Sequence, residues 1–392
     1  MPDDIALRSQ KIPPAALPRS EAGAIEWLRL ARSRRVGPVT FIRLVREHGS
    51  AEAALAALPG IAAQAGARGY APAPRDAAAA EWAAGHALGA RALLLGGAEY
   101  PALLAATDDP PPFLWALGDP RLAVRPAVAL VGARNASALG ARMAARLARE
   151  LGAAGLVVVS GLARGIDAAA HEAALASGTV AAVAGGVDVA YPPENAGLCA
   201  RIAEQGCLIA EQPVGCEPRA QDFPRRNRIV SGLALGVVVV EGAERSGSLI
   251  TARNALDQGR EVMAVPGNPL DPRAGGCNQL IREGATLARS AADILEALAA
   301  TLDAPPLGSS LRPPLPLPAR RPAAPARPAP PGAEGLEGRL LALLGAAPGP
   351  EDLLIRTTGA PAAAVAAALL ELELAGLVER HPGGLVSLSL AR

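Results

Sequence analysis

The central part of this 392-residue chain predicts an α/β domain with a doubly wound, mostly parallel sheet. Three observations carry that prediction. Six apolar runs of strand length recur, at Ala127–Val131, Leu156–Val159, Val180–Val183, Leu208–Ala210, Val237–Val240 and Val262–Val265. They are continuous rather than alternating, which is the pattern of strands covered on both faces. Each ends in a glycine-containing turn followed by a helical pattern, as parallel crossovers require. A Rossmann-like sheet of this kind binds its ligands beyond the carboxyl ends of the strands.

The other elements follow in order. Residues 1–20 read as a disordered amino terminus. Residues 21–94 read as a small all-α domain and connector. Ile25, Leu28 and Leu30 mark a first helix, Val36-Gly-Pro-Val-Thr40 a tight turn, Phe41 to Glu47 a second helix, and His48-Gly-Ser50 the start of a third. Helix, glycine turn and helix resemble a helix-hairpin-helix or SAM-like module, which can offer backbone amides to DNA phosphates or serve only for packing. The stretch 61–126 reads as Ala-rich helix and connecting loop, with Asp109-Pro-Pro-Pro112 held extended. The α/β core spans 95–300. A Pro/Ala/Arg linker covers 301–333 and separates a last domain, 334–392. In that domain, helices at Leu336–Leu344, Glu351–Thr357 and Pro361–Ala375 precede strands Leu377–Arg380 and Leu385–Leu390, joined at Pro382-Gly-Gly384. That is a winged-helix outline.

Composition narrows the function classes. Apolar residues make up 51 % and aromatics only 2 %, so Ala, Val and Leu must build the core. A net charge of +1 means that any nucleic-acid binding must come from local charge. Lys11 is the single lysine, so no Walker-type phosphate site can form. Cys199, Cys207, Cys216 and Cys277 have no metal-ligand spacing and read as free thiols of a reducing, cytoplasmic compartment. The amino terminus has no signal-peptide pattern, and no apolar run is long enough to insert in a membrane. No cofactor and no metal are expected.

The chemistry gathers at the strand ends. The first run delivers Val131-Gly-Ala-Arg134, the second Ser160-Gly-Leu-Ala-Arg-Gly-Ile-Asp167, and the fifth Glu241-Gly242 followed by Ser246-Gly-Ser248. Glycines there let the backbone approach an anion, and helix amides attract it. No turn reads GxGxxG, which excludes a nicotinamide fingerprint. Asp222-Phe-Pro-Arg-Arg-Asn-Arg228 is the densest polar cluster, just ahead of Val237–Val240. Its arginines can grip phosphates, while Phe223 can take a base face or fill the core. Asp167 and His171, four apart, could form a proton relay or a metal half-site, or simply an orienting hydrogen bond or helix-dipole pairing. No nucleophilic triad or paired carboxylate site is visible.

Read together, Ser160-Gly-Leu-Ala-Arg-Gly-Ile-Asp-Ala-Ala-Ala-His171, Tyr191-Pro192 with Asn195, Phe223-Pro-Arg-Arg-Asn-Arg228, Ile229-Val-Ser-Gly232 and Ser246-Gly-Ser-Leu-Ile-Thr-Ala252 resemble the DprA (Smf) family of DNA-processing proteins. Val265-Pro-Gly267 and Asn278-Gln-Leu-Ile-Arg-Glu-Gly-Ala285 continue the likeness, which covers about residues 95–290. The resemblance implies an extended Rossmann domain that binds single-stranded DNA without sequence preference, in natural transformation. It also implies protection of that strand, loading of the RecA recombinase, and homodimerisation through the same domain. Carried onto this sequence, it marks Gly132, Arg134, Gly161, Gly165, Asp167, Phe223, Arg226, Asn227, Arg228, Ser246 and Ser248 as the binding residues, with Ser160, Arg164 and Arg225 beside them. None of these is a catalytic assignment. The alternative is a nucleotide phosphoribohydrolase on a related fold, but Pro266-Gly-Asn-Pro-Leu270 breaks that group's PGGxGT turn. The last domain departs from a DNA reader: its third helix has Glu371 and Glu373 and no basic residue, which suits protein contact or packing.

Overall fold

The computed structural model describes residues 11–64, 69–302, 336–344, 349–374, 377–381 and 385–388. The expected linker from 303 to 333, the turn Pro382–Gly384 and residues 1–10 lie outside these. The chain divides into two compact units, Met1–Arg312 and Pro313–Arg392.

In the first unit the six apolar runs become strands β3 (Ala127–Val131), β4 (Val157–Ser160), β5 (Thr179–Val183), β6 (Cys207–Ala210), β7 (Gly236–Val239) and β8 (Glu261–Ala264). Three further strands join them: β1 (Arg91–Leu94), β2 (Phe113–Gly118) and β9 (Thr286–Leu287). Among the described residues the nine form one sheet in the order β1-β2-β6-β5-β4-β3-β7-β8-β9. The pairs β1–β2 and β2–β6 are antiparallel and all others parallel. Strands β1 and β2 correct the reading of 61–126 as helix and loop. Phe113-Leu-Trp-Ala-Leu117 is itself a β-prone run, and β1 and β6 pair with it on its two sides.

Alternation along the strands sends side chains to two cores. Ala127, Ala129, Val131, Val157, Val159, Val237 and Val239 face one, and Val128, Leu130, Val158 and Val238 the other. The first crossover helix lies in the second layer; counting helices from the amino terminus it is α6 (Ala138–Ala153), after α1 (Glu21–Arg32), α2 (Pro38–His48), α3 (Ala51–Gln64), α4 (Arg75–Ala87) and α5 (Ala102–Ala105). With it pack α7 (Ile166–Ala174) and α12 (Ala291–Leu302). The first layer holds α8 (Ala196–Gln205), α9 (Asp222–Gly232), α10 (Gly247–Asp257) and α11 (Gly275–Arg282).

The amino-terminal helices share that first core. The Trp27 indole donates to Pro112 O at 2.9 Å and the Trp115 indole to Glu81 Oε1 at 2.9 Å. Trp82, Phe113 and Trp115 stack within 6.4 Å of one another. Gly85 exists for this contact: a Cβ there would sit 2.3 Å from the Trp115 ring. The expected disorder of 1–20 is corrected for residues 11–20, where Ile12 and Ala16 are buried and Lys11 donates to Thr107 O. These few apolar residues were too sparse to stand out as a core element.

The second unit has helices α13 (Leu336–Leu343), α14 (Glu351–Thr358) and α15 (Ala362–Leu374) and strands β10 (Gly349–Pro350), β11 (Val378–His381) and β12 (Leu385–Leu388). The strands pair in the order β10-β12-β11. Leu340, Val365, Leu369, Val378 and Val386 form its core, completing a winged-helix arrangement. No helix among the described residues is long and apolar enough to cross a membrane.

Candidate functional site

The turns that leave β3, β4, β7 and β8 at their carboxyl ends, together with the first half of α9, enclose an open cleft of about 850 Å³. Connections from β3 and β7, adjacent in the sheet, leave in opposite senses, so the cleft sits where the strand order reverses. Gly132, Arg134, Gly161, Asp167, Phe223, Arg226, Asn227, Ser246 and Ser248 line it. A small side pocket of about 40 Å³ shares Arg134, Phe223 and Arg226 and adds Arg164.

Arg226 forms the floor. Its guanidinium is buried and donates to Gly161 O and Ala182 O, so it ties the ends of β4 and β5 together. Glycine at 161 leaves room for this, since a Cβ would lie 2.6 Å from the guanidinium and displace it. Burial lowers the Arg226 pKa to about 10, which leaves the charge in place at neutral pH. The Asp167 carboxylate beside it favours this charged form.

One wall is aromatic. Phe223 is half-buried, with its ring centroid 5.4 Å from that of Tyr191, and the exposed Arg134 guanidinium lies 5.2 Å from it. The Tyr191 side of this pair is 45 % exposed, in a chain whose tryptophans are all buried. A ring held by a neighbour yet open on its free side can receive a planar group. Asn195 supports this wall from behind by donating to Leu162 O at 3.0 Å. On the far side Ser246 caps α10, accepting from Ser248 N at 3.3 Å, and Asn227 donates to Gly247 O at 3.4 Å.

Of the other marked residues, Ser160, Gly165, Arg225 and Arg228 lie outside the cleft lining. Ser160 is fully buried and donates to Leu130 O at 2.6 Å. Gly165 has φ +76° and presses on the first turn, where a Cβ would meet Ala133 O at 2.3 Å; it serves turn-to-turn packing. Arg225 is exposed but outside the cleft lining. Arg228 points the other way, donating to both Glu211 carboxylate oxygens at 2.7 Å and to Asp109 O at 2.5 Å. Residues two apart on a helix project about 200° apart, so Arg226 and Arg228 cannot share a face. Arg164, at the side pocket, is exposed and 3.4 Å from Glu194.

The sequence reading passed over Arg245 and Arg273, which also line the cleft. Arg245 immediately precedes the Ser246-Gly-Ser248 helix start, a position that could have been flagged. Arg273 comes from the turn after β8, held 3.0 Å from Asp271, and only the fold brings it here.

The glycine turns are less open to anions than their sequences suggest. Asp167 accepts from Gly161 N at 3.1 Å and Ala163 N at 3.3 Å, so its carboxylate occupies the second turn. Burial raises its pKa, opposed by Arg226 and these two amides. No bond joins it to His171. The His171 Nδ1 lies 2.7 Å from Thr179 Oγ1, whose hydroxyl donates to Val158 O at 2.8 Å and so accepts the imidazole proton. Burial and Arg226 lower the His171 pKa to about 3. With no bond between them, the pair forms neither a proton relay nor an orienting hydrogen bond, and each residue braces its own strand end. Among the described residues no cluster of three or more metal-ligating side chains occurs.

Comparison with known proteins bears on the whole chain. The family model described as DNA recombination-mediator protein A matches residues 91–299, a DprA-like N-terminal HHH domain matches 21–84, and a DprA winged helix domain matches 324–384. Protein Smf of Escherichia coli is 41 % identical over 305 residues, covering 74 % of this chain and 76 % of that protein. The X-ray structure of DNA processing protein A from Streptococcus pneumoniae matches with a TM-score of 0.59 at 33 % identity, covering 71 % of this chain and 98 % of that one. A structure of DNA processing protein A from Helicobacter pylori, described as revealing its unique single-stranded DNA binding mode, matches with a TM-score of 0.50 at 28 % identity, covering 54 % of this chain and 96 % of that one.

Proposed function

The chain belongs to the DNA recombination-mediator protein A (DprA/Smf) family, and from that premise we propose that its cleft binds single-stranded DNA and does no chemistry on it. The observation that carries this reading is the pairing of an open aromatic wall, Phe223 with Tyr191, with arginines 134, 226, 245 and 273 in one cleft. The exposed Arg134 and Arg245 hold successive phosphates over the fixed charge of Arg226 and the rings accept bases, a combination that tolerates any sequence. Duplex DNA keeps its bases stacked and offers the rings nothing. The family of DNA-processing proteins and the strand-binding relative from Helicobacter pylori support the same ligand.

From the family resemblance we assign the further roles: shielding an incoming strand during transformation and handing it to the RecA recombinase, as a homodimer built through the α/β unit. The cleft works by holding. Arg226 gives fixed charge at the floor, Arg134 and Arg245 give mobile charge at the rim, and Phe223 orients a base. A nucleotide phosphoribohydrolase would need a carboxylate free to act at the mouth. Asp167, the one carboxylate lining the cleft among the described residues, is buried and committed to two backbone amides.

The test is a fluorescence titration of a labelled oligothymidine and of its duplex form at several salt concentrations. Wild type should prefer the single strand. Arg134→Ala and Arg134→Ala/Arg245→Ala should weaken it and flatten the plot of log K against log salt by about 0.7 per lost phosphate contact. Unchanged affinity and slope in the double variant would sink the site. Release of free base from AMP at enzymatic turnover would sink the non-catalytic assignment.

A further inference from the structure

Glu241 follows β7 and lies at the amino-terminal end of α6, the first crossover helix. Its carboxylate accepts from the Ser137 backbone N–H at 2.8 Å and from the Ser137 hydroxyl. Ser137 in turn caps α6, accepting from Gly140 N at 2.9 Å. The site is shaped for this side chain: a Cβ on Gly140 would lie 2.2 Å from the Glu241 carboxyl carbon. In sheets of this topology the turn after the first parallel strand, with the helix start behind it, is the natural seat of a free phosphate. Here a carboxylate of the chain itself occupies that seat. Asp167 does the same on the second turn, so two glycine-rich turns are neutralised from within.

We infer that Glu241 is a specificity-determining residue, a built-in anion that keeps inorganic phosphate and mononucleotides off the start of α6. A small anion depends on that seat, because backbone amides and a helix dipole supply most of its binding. A nucleic-acid strand does not. Its phosphates reach the arginine side chains at the rim, and several weak contacts add along one chain. Together with the strand binding proposed above, on which this step rests, the closed seat beside the cleft selects by ligand length: a polyanion is held where a monophosphate is rejected. The exclusion of small anions stands on the geometry of Glu241 alone and does not need the strand-binding reading.

Isothermal titration of the full chain with inorganic phosphate, and separately with AMP, tests it at low ionic strength. Wild type should show no saturable binding in the millimolar range, and Glu241→Ala should bind both about tenfold tighter or better. Glu241→Gln keeps an oxygen for Ser137 while losing the charge, and should show a smaller gain. Equal phosphate affinity in wild type and a folded Glu241→Ala overturns the inference; if that variant does not fold, Glu241→Gln decides by gain or no gain. Saturable phosphate binding by wild type that shifts the Ser137 amide resonance overturns it too. An oligonucleotide titrated in parallel keeps the two readings apart. Its failure to bind wild type would remove strand binding and leave the phosphate result intact.

Discussion

Arg228 and Glu211 face each other across two 2.7 Å contacts on the side of α9 turned away from the cleft. Glu211 also receives Arg32 of α1 through its carbonyl oxygen at 2.9 Å, and Arg228 holds the Asp109 carbonyl. The last arginine of the cluster thus buckles α9 to the amino-terminal helices. Arg228→Ala should lower unfolding stability by about 2 kcal/mol, since it leaves a half-buried carboxylate without its partner. Its salt slope for single-stranded DNA should equal wild type. Urea melts and salt titrations on one preparation check both, and a flattened slope would return Arg228 to the phosphate contacts.

Phe223 separates stacking from plugging. Phe223→Leu fills the space beside Tyr191 but has no π-face, whereas Phe223→Ala loses both. If the ring takes a base, both variants should lose about 1–3 kcal/mol of oligonucleotide affinity. If it only plugs the wall, Phe223→Leu should bind like wild type. Calorimetric titration against oligothymidine distinguishes them.

His171 predicts a pH dependence of stability. Its folded pKa is lowered to about 3 from the ordinary 6.5. Between those values the unfolded chain carries a proton that the folded chain refuses. Stability from this group is therefore full above about pH 6.5 and falls as pH drops, by up to about 1.4 kcal/mol per unit. His171→Gln should flatten the profile between pH 5 and 6.5 by that amount (about 1.4 kcal/mol per unit at most). Denaturant melts of both proteins across that range measure it, and parallel profiles would refute it.

Gly85 tests whether the amino-terminal helices can be separated from the sheet. Gly85→Ala puts a methyl 2.3 Å from the Trp115 ring, and Trp115 belongs to β2. It should cost about 2 kcal/mol or more by overpacking. The loss should appear in one transition shared by circular dichroism and tryptophan fluorescence. An early fluorescence transition, with the sheet signal unmoved, would show two independent units.

Much of this protein could be read from local pattern. Each central strand was legible because a parallel strand buried on both faces must be apolar throughout, and the turn after it must change direction. Residues such as Arg134, Phe223 and Arg226 were legible because polar and aromatic side chains at strand ends have few other uses. Strands β1 and β2 were not, because their place beside β6 and under the amino-terminal helices is set only by the fold. Nor did spacing reveal that Arg226 and Arg228 part company; only helix phase and the positions of Glu211 and Asp109 decide that.

The same limit applies to the anion sites. Sequence alone determined that this chain has glycine-rich turns, arginines and a few aromatics at the ends of parallel strands. The tertiary structure decided which charges remain free. Glu241 lies 104 residues from Ser137, yet the pairing of β3 with β7 brings it to the start of α6. Charge compensation acts through space over a few ångströms, so no reading along the chain could assign it.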